Sequence, residues 1–387
     1  MNVSDIKQNN QNKIYFYLRK KGSATKQTIA YDLQLSLPTV SRNLELLVRE
    51  GLLRSDAKVE SKSEGRKPIA YSYIADAKIA IGLDITRNHI KCAIIDLNGE
   101  MIYYTMVDRP FRREDAYMRM LGTMVEEGIN QANVDRNRIL GVGIAIPGLV
   151  SPDGRHVVHG RVIDNEGMDC ATFAKYIPYP AKLIHDSSAA GFAENWVSPE
   201  IQNAYYIGLF NSVGSTVILN RALYMANPLY SSEVGHLTLV PDGKPCYCGQ
   251  KGCVEEYCKA EVLSGHTNND LDAFFQQLHQ GEERLISIWD RYLDDLSCVI
   301  SNVRMLFGCA IIIGGYIGPY IRDYLDVLRK KVDERNAFFE ESSSYLLPCK
   351  TGIESVAIGS ALFYIDEYLG PLRKRDLNEW TGPRIDA

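Results

Sequence analysis

The segment 232–256 contains a cluster of side chains of the types that bind a metal ion. Cys246, Cys248 and Cys253 fall within eight residues, and His236 lies ten positions before the first of them. Gly243, Pro245, Gly249 and Gly252 interrupt the same segment, which predicts a tightly turned loop with no core of its own. Thiolate and imidazole are ligands that zinc prefers, and a Cys3His set fills all four positions of a tetrahedral ion. The sequence therefore predicts a closed, structural zinc site with no position left for a catalytic water.

Two other interpretations of this cluster remain open from the sequence. Cys258 follows closely and is an alternative to His236 as the fourth ligand. The cysteines are alternatively a reduced cluster that only packs. Clustered cysteines on a glycine-rich loop pack poorly, so the metal site is the preferred interpretation.

The same segment resembles the signature of the ROK family, whose name stands for repressors, open reading frames and sugar kinases. The resemblance rests on Glu-Val-Gly-His at 233–236, on Cys-Tyr-Cys-Gly-Gln-Lys-Gly-Cys at 246–253, and on Glu255. It implies an actin-like body of two lobes, a duplicated ribonuclease H-like α/β fold, with a sugar-binding cleft between the lobes.

Sugar hydroxyls need hydrogen-bond partners in fixed directions, and carboxylates are the usual ones. The sugar-binding candidates that the resemblance implies are Asp186, Glu233, His236, Glu255, Gly148 and Asn165. Asp186 stands where the family's Asn-Asp motif places the catalytic base of the kinases, although His185 replaces the asparagine here. The resemblance further implies that His236 turns one ring nitrogen to the zinc and the other to the sugar.

Kinases of this fold hold the ATP phosphates on glycine-containing hairpins, because only glycine lets backbone N–H groups approach the phosphates closely. The first hairpin reads Asp-Ile-Thr-Arg-Asn at 84–88, and the second reads Phe-Asn-Ser-Val-Gly-Ser-Thr-Val at 210–217. The residues that match the nucleotide site are Asp84, Thr86, Gly214, Gly314 and Gly315. We expect impaired ATP binding, since the β-branched Thr86 should clash at a phosphate turn. Asp186 is then a sugar ligand, and it is catalytic only if the chain is a kinase.

Charge is distributed unevenly between the first 75 residues and the rest of the chain. Residues 1–75 hold 13 Lys and Arg against 7 Asp and Glu, whereas the remainder holds 30 against 41. A basic head on an acidic body indicates that the head binds a polyanion.

Two short predicted helices in this head are joined by a tight turn. Thr25 and Ser36 are placed to cap their N-termini, and Gly51 ends the second of them. Residues 52–73 read as two strands around a charged tip. The pattern predicts a winged helix-turn-helix like the head that ROK repressors carry, with a protein-interaction or dimerisation module as the alternative. The DNA-binding candidates are Thr39, Ser41, Arg42, Asn43, Arg66 and Lys67.

Alternating strand and helix patterns continue through the rest of the chain. By themselves these patterns predict an α/β fold. With the resemblance, they divide the chain into a winged helix-turn-helix at 1–75, a first lobe at 78–200 and a second lobe with the zinc loop at 201–387. No apolar run approaches the roughly 20 residues of a membrane helix, the N-terminus lacks an apolar signal core, and nine cysteines argue against a complete disulfide framework. A cytoplasmic protein is expected.

These observations together predict a sugar-responsive DNA-binding repressor with structural zinc. Its expected partners are a double-stranded DNA operator, a small sugar and further copies of itself in a dimer or tetramer. The alternative is an ATP-dependent sugar kinase that carries a DNA-binding head. Intact phosphate-hairpin glycines would favour the kinase, and their loss favours the repressor.

Overall fold

The computed structural model describes residues 3–56, 69–224, 232–336 and 338–373. The helices are α1 Val3–Lys21, α2 Lys26–Asp32, α3 Leu37–Arg49, α4 Asp115–Gln131, α5 Cys170–Phe173, α6 Asp186–Val197, α7 Glu255–Cys258, α8 Glu261–Ser264, α9 Leu271–His279, α10 Glu283–Phe307, α11 Gly318–Ile321, α12 Leu325–Asp333 and α13 Ser355–Arg373. The strands are β1 Ser23–Thr25, β2 Leu53–Asp56, β3 Ala70–Tyr73, β4 Ile79–Ile85, β5 His89–Asp96, β6 Met101–Asp108, β7 Ile139–Ile146, β8 Leu149–Val150, β9 Val157–His159, β10 Ala181–His185, β11 Ala204–Leu209, β12 Val213–Leu219, β13 Ala222–Leu223, β14 Ala310–Gly315 and β15 Leu346–Pro348. Within these ranges no helix combines the length and apolar character that crossing a membrane requires.

The head consists of α1–α3 and a three-stranded sheet of order β1-β3-β2. The Thr25 hydroxyl accepts the Thr28 N–H at the start of α2, and the Ser36 hydroxyl accepts the Thr39 N–H at the start of α3. Both caps are the predicted ones, and each satisfies an N–H that the helix leaves unpaired. Strands β2 and β3 pair antiparallel as the wing, so the predicted winged helix-turn-helix is present. Strand β1 was not predicted.

The body contains two five-stranded sheets with the same topology. The first has the order β10-β7-β4-β5-β6, and the second has the order β13-β12-β11-β14-β15. In each sheet three consecutive strands form an antiparallel meander, a fourth strand pairs in parallel with the first strand of that meander, and a fifth pairs in parallel with the fourth. The predicted duplicated α/β fold is therefore confirmed.

Two helices cross between the lobes. Helix α6 follows the last strand of the first sheet and packs against β12 of the second, whereas α13 follows the last strand of the second sheet and packs against β4 and β7 of the first. The contacts are close because glycines leave room for them. A Cβ atom at Gly82 would collide with the carbonyl oxygen of Ala357, and one at Gly359 would collide with that of Ala189. Each of these two helices thus follows the sheet of one lobe and packs against the sheet of the other.

The head rests on the body near the end of α6. Leu18 of α1 belongs to the same hydrophobic cluster as Leu97 of the β5–β6 turn. Arg19 donates from Nη2 to the Leu97 carbonyl at 2.9 Å and from Nε to Asn98 Oδ1 at 3.0 Å. Its guanidinium also lies 5.5 Å from the ring centroid of Trp196, which donates from Nε1 to the Asn98 carbonyl at 2.7 Å. One turn of the body therefore joins α1 of the head to α6.

Candidate zinc site and ligand cleft

The four predicted metal ligands converge at one point of the second lobe. The ligand atoms of His236, Cys246, Cys248 and Cys253 all lie within 4.8 Å of one another. The sulfurs of Cys248 and Cys253 are 3.7 Å apart, and Cys246 Sγ is 3.9 Å from His236 Nδ1. A tetrahedral zinc with Zn–S bonds of about 2.3 Å spaces two sulfurs by about 3.8 Å. The donor set and its spacing therefore fit a Cys3His zinc site.

Cys258 lies elsewhere. It is fully buried in the core of the second lobe, and its carbonyl accepts a hydrogen bond from Tyr292 Oη at 2.6 Å. Burial holds the pKa of the Cys258 thiol well above its usual value. The geometry thus favours His236 over Cys258 as the fourth ligand.

A cavity of about 860 Å³ separates the two lobes next to this loop. Its lining includes Asp84, Lys91, Asp186, Tyr247, Glu255 and Tyr316. Both lobes and the metal-binding loop contribute side chains, so the cavity has the size and polar lining of a small-molecule site.

Asp186 is the first residue of α6 and lies in this cleft. Its Oδ1 accepts the Ser187 N–H at 2.7 Å and is 3.3 Å from His185 Nε2. Burial, and then the charge of Asp84, raise the pKa of Asp186 to about 7. Burial also raises the pKa of Glu233, which His185 and Asp186 both influence. His185, Asp186 and Glu233 therefore form one electrostatically linked group.

Stability is expected to depend on pH through Asp186. Its folded-state pKa lies above the unfolded value, so ionising it costs folding free energy as pH rises from about 4 through about 7. Asp186→Asn is expected to stabilise the protein by on the order of 2–4 kcal/mol at pH 8, and by less than half of that at pH 5. Thermal unfolding at the two pH values measures the difference.

The matched control is Asp326→Asn, whose side chain is 97% exposed. It should change stability little at either pH. A stabilisation by Asp186→Asn that is equal at pH 5 and pH 8 would contradict the assignment of a raised pKa to Asp186.

Three other predicted sugar-binding residues, Glu255, Gly148 and Asn165, stabilise the local structure around the cleft. Glu255 is 2% exposed, and its Oε2 accepts the Val213 N–H at 2.7 Å, which ties the metal-binding loop to β12. Gly148 has a φ of +124° in the turn after β7, a conformation that favours glycine. Asn165 is fully buried and donates from Nδ2 to the Pro147 carbonyl at 3.3 Å. Gly148 and Asn165 thus shape the turn behind Pro147, which lines the cleft.

The first phosphate hairpin is closed by its own threonine. Thr86 Oγ1 accepts the N–H groups of Asn88 at 3.3 Å and of His89 at 2.9 Å. These amides are the kind of donor that would otherwise face an anion. The Thr86 hydroxyl therefore already accepts the two N–H groups of the turn that could bind a phosphate. The sequence predicts a steric clash at this position, whereas the structure shows that the donors are occupied.

A buried ion pair occupies the cleft beside this hairpin. Lys91 Nζ lies 3.0 Å from Asp84 Oδ2, and each side chain is 3% exposed. The ammonium also donates to the Ile353 carbonyl at 3.0 Å and lies 4.9 Å from the ring centroid of Tyr316. Burial opposes the charge of Lys91, but Asp84 more than offsets this and raises the pKa of Lys91. The charge of Asp84 is thus neutralised by a lysine of the protein itself.

The glycines at the nucleotide-motif positions, Gly214, Gly314 and Gly315, are each explained by packing or backbone conformation. A Cβ at Gly214 would lie 2.6 Å from Ser187 Cβ, and one at Gly314 would collide with the Tyr206 hydroxyl. Gly315 has a φ of +79° and closes the turn after β14. These glycines therefore carry no separate evidence for a nucleotide.

The predicted DNA-binding side chains of α3 differ in their exposure. Arg42 is exposed, and Thr39 and Ser41 are half-buried. Asn43 is 6% exposed and donates from Nδ2 to the Thr39 carbonyl at 2.8 Å, so it faces the interior of the head. Arg42 is thus the charged candidate that the helix presents to solvent.

The head holds one further exposed aromatic residue. Tyr31, at the end of α2, is 86% exposed, and an aromatic residue next to a predicted turn was the available sequence signal for it. Arg66 and Lys67, the predicted wing-tip candidates, lie outside the described residues.

A winged helix-turn-helix head, two actin-like lobes and a Cys3His cluster beside the cleft define the architecture of this protein. Residues 80–367 match the model of the ROK family, and the chain belongs to that family. It is similar to the xylose repressor of Bacillus subtilis (strain 168), with 23% identity over 385 residues that cover 95% of this chain and 99% of that protein. It is also similar to the DNA-binding transcriptional dual regulator NagC of Escherichia coli (strain K12), with 22% identity over 279 residues that cover 71% and 68%.

Two solved structures share the fold. A ROK family transcriptional regulator, described as a homolog of the E. coli MLC protein, has a TM-score of 0.67 at 19% identity and covers 95% of this chain and 99% of its own. A ROK family glucokinase from Streptomyces griseus, in complex with glucose and AMPPNP, has a TM-score of 0.60 at 19% identity and covers 74% and 98%.

Proposed function

We propose that this protein is a sugar-responsive transcriptional repressor whose head binds a double-stranded operator and whose cleft binds a small sugar. The observation that carries the proposal is the course of α6. It begins at Asp186 in the cleft and ends beside Trp196, which meets the head through Asn98. A ligand at one end of this helix is therefore mechanically connected to the DNA-binding head at the other.

The physical scheme needs two lobe arrangements with different sugar affinities. A sugar held by Asp186 and Glu233 would draw the lobes together and move α6 relative to the first sheet. The turn at 97–99 would pass this movement to α1 and change the separation of two heads in a dimer. The sugar alters operator affinity only to the extent that it binds the two arrangements differently.

Zinc has a supporting part in this scheme. His236, Cys246, Cys248 and Cys253 would hold the ion, which supplies rigidity to the loop. The loop in turn positions Glu255 and Tyr247 at the cleft wall. A rigid frame of this kind keeps ligand contacts within the narrow geometry that specific binding requires.

The repressor names of full-length relatives support the assignment, and so do the altered phosphate hairpins. The Thr86 hydroxyl accepts the N–H groups of the first turn, and Lys91 neutralises Asp84. The N–H donors and the carboxylate that would bind the phosphates and the magnesium ion of a nucleotide therefore already have partners in the protein. The sugars in the relatives' names differ, xylose in one and N-acetylglucosamine in another, and identities of 23% and 22% do not select between them.

One observation favours the alternative, a sugar kinase. Asp186 retains the place of the catalytic base, and its pKa of about 7 suits proton abstraction. ADP release over a panel of pentoses, hexoses and N-acetylated sugars separates the two functions, with Asp186→Ala as the control. We expect no turnover with any sugar, and turnover that Asp186→Ala abolishes would establish the kinase instead.

Arg42→Ala is expected to weaken operator binding about 10- to 100-fold, because it removes an exposed cation from the recognition helix. Fluorescence anisotropy with an operator selected from random DNA measures this at several salt concentrations. The slope of log K against log salt should fall by about one if Arg42 contacts a phosphate. Arg66→Ala, at the wing tip that the sequence predicts, is expected to weaken binding in the same direction.

Arg49→Ala is the matched control for Arg42→Ala. Arg49 is also exposed but lies in the last turn of the same helix. Equal losses from the two substitutions would point to general charge rather than a recognition surface. Unchanged operator binding by Arg42→Ala would contradict the DNA-binding role of α3.

Arg19→Ala is expected to uncouple the head from the cleft. The variant removes two hydrogen bonds to the turn at 97–99 and the contact with Trp196. Sugar affinity and sugar-free operator affinity should stay within about threefold of wild type, whereas the sugar-induced change in operator affinity should fall at least about fivefold. Titration of the operator with and without sugar measures the coupling, and Arg119→Ala, on the exposed face of α4, is the control. A coupling that survives in Arg19→Ala would rule out this path.

A further inference from the structure

The first turn of α3 presents an apolar surface to solvent. Leu37 is the first residue of the helix, and its side chain is 49% exposed. Pro38, the next residue, is exposed as well. The apolar side chains of Val40, Leu44 and Leu47 are instead fully buried in the core of the head. Leu37 and Pro38 therefore stand apart from the apolar stripe that folds the helix onto the head.

Three polar side chains at the same end of α3 are already bonded within the helix. The Ser36 hydroxyl accepts the Thr39 N–H at 3.4 Å and lies 2.8 Å from Thr39 Oγ1. Asn43 is buried and donates from Nδ2 to the Thr39 carbonyl at 2.8 Å. These side chains have partners in the protein, whereas Leu37 and Arg42 are exposed.

Leu37 lies on the same side of the helix as the exposed DNA-binding candidate. Leu37 and Ser41 are four residues apart, and so are Pro38 and Arg42, so the two pairs form adjoining rows on the outer surface of α3. In a helix-turn-helix the N-terminal residues of the recognition helix contact base edges in the major groove. The apolar group that an unmodified base presents there is the C5-methyl of thymine. A leucine at this position therefore has thymine as its apolar partner among the bases.

We propose, on the basis of the repressor function above, that Leu37 is a specificity-determining residue that packs against the C5-methyl group of a thymine in each half of the operator. The contact removes apolar surface of both groups from water. A cytosine at the same place has no methyl group to offer. Arg42, on the adjoining row, supplies a charged contact beside this apolar one.

The test removes single methyl groups from the DNA. An operator is selected from random DNA with the full-length wild-type protein, and each thymine is replaced in turn by deoxyuridine at the symmetric positions of both half-sites. At one such position the replacement is expected to weaken wild-type binding about 5- to 20-fold, the scale of two methyl groups that lose their apolar partner. Fluorescence anisotropy measures the affinities.

The protein variants complete a thermodynamic cycle with the two operators. Leu37→Ala should bind the thymine operator about 5- to 20-fold more weakly than wild type, and uracil at the identified position should then weaken binding by less than about twofold further. Alanine is a good helix former, so this exposed site should tolerate it, and thermal unfolding checks the fold of each variant. Leu37→Met should restore most of the thymine preference, since its apolar side chain reaches the same methyl group.

Arg42→Ala is the matched control from the adjoining row. It should weaken binding to both operators and keep the ratio of the thymine to the uracil affinity within about twofold of the wild-type ratio. A thymine preference in Leu37→Ala equal to that of wild type overturns the inference, whether or not the overall affinity falls. Wild type that is insensitive to every uracil replacement overturns it as well.

The outcomes separate this inference from the repressor proposal. A selected operator that wild type binds without sensitivity to any thymine methyl leaves the repressor function in place and removes only the role of Leu37. Wild type that enriches no sequence from random DNA overturns operator binding and, with it, the inference that rests on it.

Discussion

Replacing Lys91 with methionine is expected to destabilise the protein by about 3–5 kcal/mol, the cost of leaving a buried charge without its partner. Methionine preserves most of the apolar volume of the lysine stem and removes the ammonium. Asp84 then remains 3% exposed in the cleft with no cation 3.0 Å away. Urea unfolding followed by circular dichroism measures the loss in the absence of sugar.

The double variant Lys91→Met/Asp84→Leu distinguishes a lost ion pair from a damaged core. Removing both charges is expected to recover most of the stability, because apolar replacements of buried pairs are often neutral or stabilising. The control Lys182→Met breaks an ion pair with Glu367 whose side chains are 42% and 63% exposed, and it should cost less than about 1 kcal/mol. A loss for Lys91→Met no larger than that of Lys182→Met would show that the cleft pair is solvated and contributes little.

Replacing Cys246 with serine is expected to abolish stoichiometric zinc binding and to weaken sugar binding at least about 100-fold. Structural zinc contributes about 10–16 kcal/mol of apparent binding free energy in zinc-finger peptides, which exceeds the stability of many domains. Without the ion, the four ligands are no longer held at one point, and Tyr247, which lies between two of them, is expected to lose its fixed position at the cleft. Zinc is measured by elemental analysis and sugar affinity by calorimetry.

The rest of the second lobe should stay folded in this variant, because its core lies around α10 and the second sheet. Operator binding without sugar should therefore be retained. Cys298→Ser, a half-buried cysteine of α10 outside the ligand group, should retain both zinc and sugar binding. Full sugar affinity in a zinc-free Cys246→Ser protein would show that the ion has no part in shaping the cleft.

Local sequence signals were sufficient for much of the fold. Thr25 and Ser36 cap the predicted helices because their hydroxyls satisfy backbone N–H groups within three residues. Strands β2 and β3 lie within residues 52–73, where the sequence predicts two strands. The His236 and cysteine cluster was recognisable because its ligands are close in sequence and rare in type. All of these features depend on neighbours along the chain.

The features that sequence reasoning missed depend on distant contacts. No local sequence signal distinguishes Lys91, because only the fold brings the Ile353 carbonyl and the Tyr316 ring to its ammonium. The sequence predicts that Asn43 contacts DNA, but Asn43 is buried and its side-chain amide donates a hydrogen bond to the Thr39 carbonyl. The sequence assigns no role to Tyr247, because its contact with the His236 ring forms only when the loop is folded.

The exchange of α6 and α13 between the lobes has a consequence for biosynthesis. The face of β7 that α13 covers is complete at Ile146, whereas α13 begins only at Ser355. At 5–20 residues per second, the ribosome needs about 10–40 s to make the intervening chain. During that time the nascent first lobe exposes an apolar surface that no earlier segment covers, so we expect it to depend on chaperones and to finish folding after release. A stop codon just before Ser355 should then be as damaging as one in the middle of the gene, since it removes the cover of a lobe that was synthesised long before.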